Sequence, residues 1–221
     1  MLLDVKNLRK DYTRGQQTFP AVNNVSFSME KNEFICIMGK SGSGKTTLLN
    51  MIAGLLTPTQ GKITINGTDL FELDDRQVSA FRNQHIGYIP QGSSLLPNLS
   101  AIDNIRLPFY LTKRENQTCL SYAQSLLEKA KISYLQDAYP ANMSGGEMRR
   151  IAILRALICK PQIIIADEPT SDLDDESSEE IMQLLTEINQ QGTALLIVTH
   201  DNDVARYSQK VMKMTAGKLL S

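Results

Sequence analysis

Gly39-Lys40-Ser41-Gly42-Ser43-Gly44-Lys45-Thr46 fills every fixed position of the pattern G-x-x-x-x-G-K-[ST], and the apolar run Phe34-Ile35-Cys36-Ile37-Met38 stands directly before it. The apolar run reads as a buried strand, and the residues from about Lys45 onward as the start of a helix. Between the two, glycine and serine let the backbone curl so that successive N–H groups point inward, and the helix adds the positive end of its dipole. The stretch is an anion cradle for a nucleoside triphosphate. Lys45 reaches the β- and γ-phosphates, the Thr46 hydroxyl ligates Mg²⁺, and every residue from Gly39 to Thr47 is a candidate phosphate ligand. Transporters, kinases, GTPases and motors all hold phosphates in this way, so the loop by itself does not decide between them.

The 221 residues, 42% of them hydrophobic, suffice for one domain over residues 1–221, with a smaller helical subdomain inserted. The 23 basic residues are balanced by 24 acidic ones, which excludes the broad positive field of a duplex-binding protein, so no nucleic-acid partner is expected. Cys36, Cys119 and Cys159 are far apart and lack metal-ligand spacing. They read as neutral thiols in a reducing compartment, the cytosol. The sequence contains no apolar run long enough to cross a membrane, and MLLDVKNLRKDY carries charges where a signal peptide needs an apolar stretch. Any membrane association would depend on a partner that supplies the span.

Leu3, Val5 and Leu8, then Val22, Val25, Phe27 and Met29, suggest antiparallel strands separated by the turn-rich TRGQQTFP around Gly15 and Pro20. Thr46 to Leu56 is expected as a buried helix ending before Pro58, followed by a strand at Lys62 to Asn66 with Asn66-Gly67 as its turn. From about Gln91 to Asn142 the composition becomes helical, with Leu120, Ala123, Leu126, Leu127 and Ala130 in helical register. The continuous apolar runs at 163–166 and 194–198 read as parallel strands covered on both faces. The fold class is α/β: a mainly parallel central sheet, an N-terminal antiparallel β subdomain and an inserted α-helical subdomain over about 91–142.

Two further constellations carry chemistry. Asp167 and Glu168 end the strand IIIADE, where the carboxyl end of a central strand meets a nucleotide. Asp167 suits the metal, and Glu168 a base that takes a proton from the water attacking the γ-phosphate. Ser144-Gly145-Gly146-Glu147 precedes a strongly helical run. Ser144 and Glu147 match the capping box S-x-x-E, while the glycines open a second helix N-terminus to an anion. Asp174, Asp175 and Glu176 read as acids favouring the start of the next helix.

GKSGSGKT, Gln91, MSGGE, IIIADE, SDLD and His200, in this order, resemble the ATP-binding-cassette ATPase family over essentially the whole chain. The resemblance implies ATP and Mg²⁺ as ligands and a head-to-tail homodimer that sandwiches two ATPs. It implies that Ser144, Gly146 and their neighbours Gly145 and Glu147 meet the ATP held by the other subunit. It further implies that Glu168 is the catalytic base, that His200 senses the γ-phosphate, that Gln91 links metal and water to the membrane partner, and that Tyr12 stacks on adenine. Met143 and Glu147 replace the outer residues of the family's more common LSGGQ, and Lys40 stands where small residues or proline are frequent.

GKSGSGKTTLLNMIAGLL, SSLLPNLSAIDNIRLPF and MSGGE together resemble the lipoprotein-releasing and macrolide-export group of that family. The group implies an ATPase subunit lying on the inner face of the cell membrane through an integral membrane permease. A mechanical regulator that activates cell-wall hydrolases through a similar membrane subunit carries the same motifs and is the alternative at this stage.

Overall fold

The computed structural model describes residues 1–92, 94–112 and 117–220. Ser93 in SSLLPNLSAIDNIRLPF, and the segment 113–116 within the expected helical insert, lie outside the described residues.

The chain runs β1 (Leu3–Arg14), β2 (Gln17–Met29), β3 (Phe34–Met38), α1 (Lys45–Ile52), β4 (Gln60–Ile65), β5 (Thr68–Asp69), α2 (Asp75–His85) and β6 (Ile86–Ile89). Then come α3 (Ala101–Leu111), α4 (Gln117–Lys129), two short 3₁₀ turns, α5 (Gly145–Leu157) and β7 (Ile163–Asp167). It closes with α6 (Asp175–Gln190), β8 (Ala194–Thr199), α7 (Asn202–Ala205), β9 (Lys210–Thr215) and β10 (Lys218–Leu220).

Among the described residues these strands form two sheets. The first has order β2-β1-β4-β5 and the second β10-β9-β3-β8-β7-β6. The first is antiparallel throughout, and in the second every pairing but β9 with β10 is parallel. This is the expected α/β class with its antiparallel N-terminal addition.

The continuous apolar runs are explained by where alternate residues go. Along β7, Ile163 and Ile165 enter one hydrophobic core while Ile164 and Ala166 enter the other. Along β8, Leu195 and Ile197 share the second of these cores, and Ala194, Leu196 and Val198 the first. One core is built on the antiparallel sheet and α1; the other takes in the helices from α3 to α6. With both sheet faces covered, these strands stay apolar until their carboxyl-terminal residues, Asp167 and Thr199. Ala123, Leu126, Leu127 and Ala130 enter the helical core as their spacing requires, with Leu120 half-buried against it.

Three boundaries differ from the sequence reading. Thr13-Arg14 and Gln17 to Pro20 belong to β1 and β2, so the turn shrinks to Gly15-Gln16. Gly15 adopts φ 64°, which lets a two-residue connection reverse the chain, and the flanking polar residues stay exposed on the strand ends. Helix α1 stops at Ile52 rather than Leu56, because the N–H groups of Leu55 and Leu56 both turn back to the Asn50 carbonyl and Gly54 takes φ 66°. The strand expected at Lys62 begins at Gln60 and ends at Ile65, and Asn66-Gly67 makes the expected turn with φ 54° and 79°.

Candidate active site

Strands β3, β8, β7 and β6 are consecutive parallel neighbours, and their registers pair Met38 with Thr199, Val198 with Asp167, and Ala166 with Ile89. Their carboxyl ends therefore fall on one edge, so that the residues just beyond them meet although they are far apart in sequence. Gly39 begins the loop after β3, His200 follows β8, Glu168 follows β7, and Gln91 lies two residues past β6. A cleft of about 290 Å³ opens there, lined by Ala21 and Ser41, the loop from Gly42 and Gly44 to Thr47, and Gln91, Glu168 and His200.

The loop depends on glycine where it turns and where it is crowded. Gly44 caps α1 at φ 103°, and a Cβ there would overlap the Ala21 carbonyl oxygen. A Cβ on Gly39 would sit 2.5 Å from the Met214 carbonyl oxygen. Lys45 is 6% exposed, and its ammonium donates to the carbonyls of Gly39 at 2.6 Å and Lys40 at 3.3 Å. The same ammonium lies 3.6 Å from the Glu168 carboxylate. The cation is thus held by the loop that it would help to fill with phosphate. Ser43 is a buried member of the loop, and its hydroxyl has no hydrogen-bond partner among the described residues.

Glu168 has left-handed backbone, φ 48°, a conformation that costs energy for a residue with a Cβ and recurs at functional sites. The turn aims its carboxylate at the end of β8. The Thr199 hydroxyl donates to Oε2 at 2.9 Å, the His200 backbone N–H to the same oxygen at 3.3 Å, and the His200 ring Nδ1 stands 3.0 Å from Oε1.

Asp167 is 2% exposed, and its Oδ1 has no hydrogen-bond partner among the described residues. Burial raises its carboxyl above the ordinary range, while a hydrogen bond with Thr46 and the charge of Lys45 pull the other way. A buried carboxylate oxygen left open beside a threonine hydroxyl is a donor set suited to a hard cation. Among the described residues no group of three His, Cys, Asp or Glu could hold a metal. Mg²⁺ shared with substrate phosphates needs only one or two protein ligands, so the residues present fit that ion.

Residues 22–171 of this chain match the ABC transporter family. The chain belongs to that family. It is 39% identical over 219 residues to the lipoprotein-releasing system ATP-binding protein LolD of Shewanella frigidimarina, a match spanning 99% of this chain and 92% of that protein. It is also 39% identical over 219 residues to the macrolide export ATP-binding/permease protein MacB of Rhodopirellula baltica, where it spans 32% of that protein's length. The solved dimeric structure of a post-hydrolysis ATP-binding cassette with ADP and Pi superposes on it with a TM-score of 0.92 at 36% identity, covering 100% of this chain and 97% of that one. Family and cleft together make this an ATP-hydrolysing cassette.

Within the cassette, Ser144, Gly145, Gly146 and Glu147 are outside the cleft's lining. Ser144 is the N-cap of α5: its hydroxyl accepts from the Glu147 N–H at 3.3 Å, and the Glu147 carboxylate accepts from the Ser144 N–H at 2.7 Å. The capping box is formed, and Ser144 and Gly145 remain exposed. The first turn of α6 and the loop before it pack behind this tip, since a Cβ on Gly146 would meet the Ser177 hydroxyl at 3.0 Å and one on Gly145 would meet Leu173 at 3.3 Å. Asp174 caps α6 through the Ser177 N–H, with Asp175 and Glu176 in its first turn, the structural role read from the sequence.

Tyr12 also stands apart from the cleft's lining. It is half-exposed on β1 opposite Phe19, its ring 6.3 Å from that of Phe19 and capped by the Lys10 ammonium at 5.7 Å. The neighbouring strand reaches the cleft through Ala21, two residues from Phe19.

Sequence reasoning missed Thr199, which holds Glu168 and also accepts the Asp201 N–H at 3.0 Å. A threonine ending a strand carries no signal beyond β propensity. It also missed the half-buried Tyr88 on β6, whose hydroxyl donates to Asn50 of α1 at 2.8 Å. Burial and the charge of Asp167 push this phenol up to about 12.

Proposed function

We propose that two copies of this cassette close head to tail around two ATP molecules and that their hydrolysis drives a membrane permease of the lipoprotein-release or macrolide-export type. The carrying observation is the separation of two halves of one site. The cleft gathers Lys45, Thr46, Gln91, Glu168 and His200, while Ser144 and Gly145 stand exposed on a helix tip outside it and Gly146 is buried just behind them.

In this reading the loop N–H groups and Lys45 hold the β- and γ-phosphates, and Ser144 and Gly146 of the second copy cover the γ-phosphate from the opposite side. Tyr12 offers its ring to the adenine. Thr46, Gln91 and Asp167 would hold Mg²⁺, which when bound neutralises phosphate charge and fixes the geometry for in-line attack. Glu168 orients a water molecule and accepts its proton as the water oxygen bonds to the γ-phosphorus and the bond to the β,γ-bridging oxygen breaks. His200 donates to the γ-phosphate oxygens, leaving ADP and phosphate as products.

Assignment to the export group rests on the names of the relatives, LolD and MacB. Among the described residues no helix is long and apolar enough to cross a membrane, so a permease would hold the cassette at the inner membrane face. A concavity of about 430 Å³ is lined by Arg82, Tyr88, Pro108, Leu111 and Arg155, and is the face we assign to that permease. Tyr88 joins it to α1, and Gln91 lies three residues further along the chain.

Complementation tests the shared site. Lys45→Ala chains have a dead cleft and an intact tip; Ser144→Ala chains have the reverse. Each alone should release little phosphate, and mixing them should restore release at the one fully intact site of the heterodimer. Activity that stays at the level of the separate variants would contradict the shared site. Co-purification of a permease with the tagged chain from native membranes tests the export assignment.

A further inference from the structure

We infer that Arg149 is the positioning residue that sets Gln91 in the cleft and ties it to the helix carrying the partner-facing tip. The inference rests on the proposed role of Gln91. Arg149 is on α5, five residues after Ser144, and is 4% exposed. Its Nη1 donates to the carbonyl of Pro90 and to the carbonyl of Gly92, each at 3.0 Å. These two carbonyls bracket Gln91, which itself lines the cleft.

Burying a guanidinium is costly unless it is fully engaged, and an apolar side chain of the same volume would pack in its place more cheaply. What the apolar side chain could not do is hold two carbonyls on either side of one residue. Gly92 has φ 77°, so the chain turns directly after Gln91 and has no strand pairing to fix it there. A second arginine of α5, Arg155, donates to the Ser94 carbonyl at 2.8 Å, which fastens the same segment again one turn and a half further along the helix. Burial pulls the Arg149 guanidinium down from its ordinary pKa, and the charge of Asp172, in the loop ahead of α6, partly offsets this. Gln91 is therefore tied to α5, whose tip exposes Ser144 and Gly145.

The test is a cycle of Gln91→Ala, Arg149→Met and the double variant in the full chain, read by kcat for phosphate release and by Kd for Mg-ATP. Arg149→Met is expected to lower kcat about tenfold or more while Kd changes by less than about threefold, since Lys45 and the loop still hold the phosphates. The double variant should match Gln91→Ala alone, because an arginine that acts only through Gln91 has nothing left to position. Arg149→Lys, which retains a charged donor, should fall between wild type and Arg149→Met. It also carries the cycle if Arg149→Met does not fold. Losses in kcat that multiply in the double variant, or an unchanged kcat in Arg149→Met, overturn the inference alone. An unchanged kcat in Gln91→Ala overturns it together with the proposed role of Gln91.

Discussion

His200 Nδ1 stands 3.0 Å from Glu168 Oε1, and the backbone N–H of the same histidine donates to Oε2 at 3.3 Å. One residue at the end of β8 thus fixes the carboxylate at the end of β7 by both its ring and its backbone. The histidine side chain is 67% exposed while the glutamate side chain is 9% exposed, so the ring closes the cleft from the solvent side. The buried face of Glu168 is held by Thr199.

Thr199→Val keeps the volume and removes the hydroxyl. It leaves Oε2 of Glu168 with the longer His200 bond alone and strands the Asp201 N–H. We expect a loss of about 1–3 kcal/mol in stability, seen in urea denaturation, and a fall in kcat with nucleotide affinity retained. Unchanged kcat would show that Glu168 needs no support from β8.

Gly44 and Gly42 separate two demands on the phosphate loop. Both have positive φ, 103° and 77°, yet a Cβ on Gly42 meets nothing within 4 Å while one on Gly44 runs into the Ala21 carbonyl. Gly42→Ala should cost about 1 kcal/mol and keep the fold, whereas Gly44→Ala should cost clearly more and displace β2 from the loop. Thermal melts of the two proteins side by side decide this, and equal losses would refute the crowding at Gly44.

Lys45→Ala removes the ammonium facing Glu168 and the loop carbonyls. Charge-assisted contacts to phosphate should disappear with it, weakening ATP binding by about 2–3 kcal/mol, or roughly 30- to 150-fold. Titration with a fluorescent ATP analogue measures the change, and undiminished affinity would remove Lys45 from the phosphate site.

The capping box gives a pH dependence. The Tyr134 hydroxyl, donating at 2.6 Å, and the Ser144 N–H hold the Glu147 carboxyl below its ordinary range. A carboxyl depressed in the folded state contributes stability that is present above its unfolded pKa and is lost as pH falls through the folded one. Glu147→Gln should therefore melt below wild type at neutral pH, by less than about 1 kcal/mol given solvent screening, and the gap should close in acid. A gap that widens in acid would have the wrong sign.

The phosphate loop, the acids after β7 and the capping box at Ser144 were readable because each is a local pattern with one physical purpose. The parallel strands were readable because burial on both faces leaves an unbroken apolar run, as at Ile163 to Ala166. Helix α2 was not, since it buries none of its residues completely and its polar run DRQVSAFRNQH has a weak apolar stripe. Nor was Thr199, whose role exists only because the sheet registers bring Val198 opposite Asp167. Helix α1 read too long because Ala53 to Leu56 continue its composition, while backbone turning at Gly54 ends it.

The most direct measurement is the mass of Glu168→Gln saturated with Mg-ATP, read by light scattering. With the base removed and the phosphate cradle intact, ATP should stay bound and hold two chains together, doubling the mass seen without nucleotide while phosphate release nearly stops. A variant that binds Mg-ATP yet keeps the mass of a single chain, both in solution and in its native complex, would contradict a site completed by a second copy.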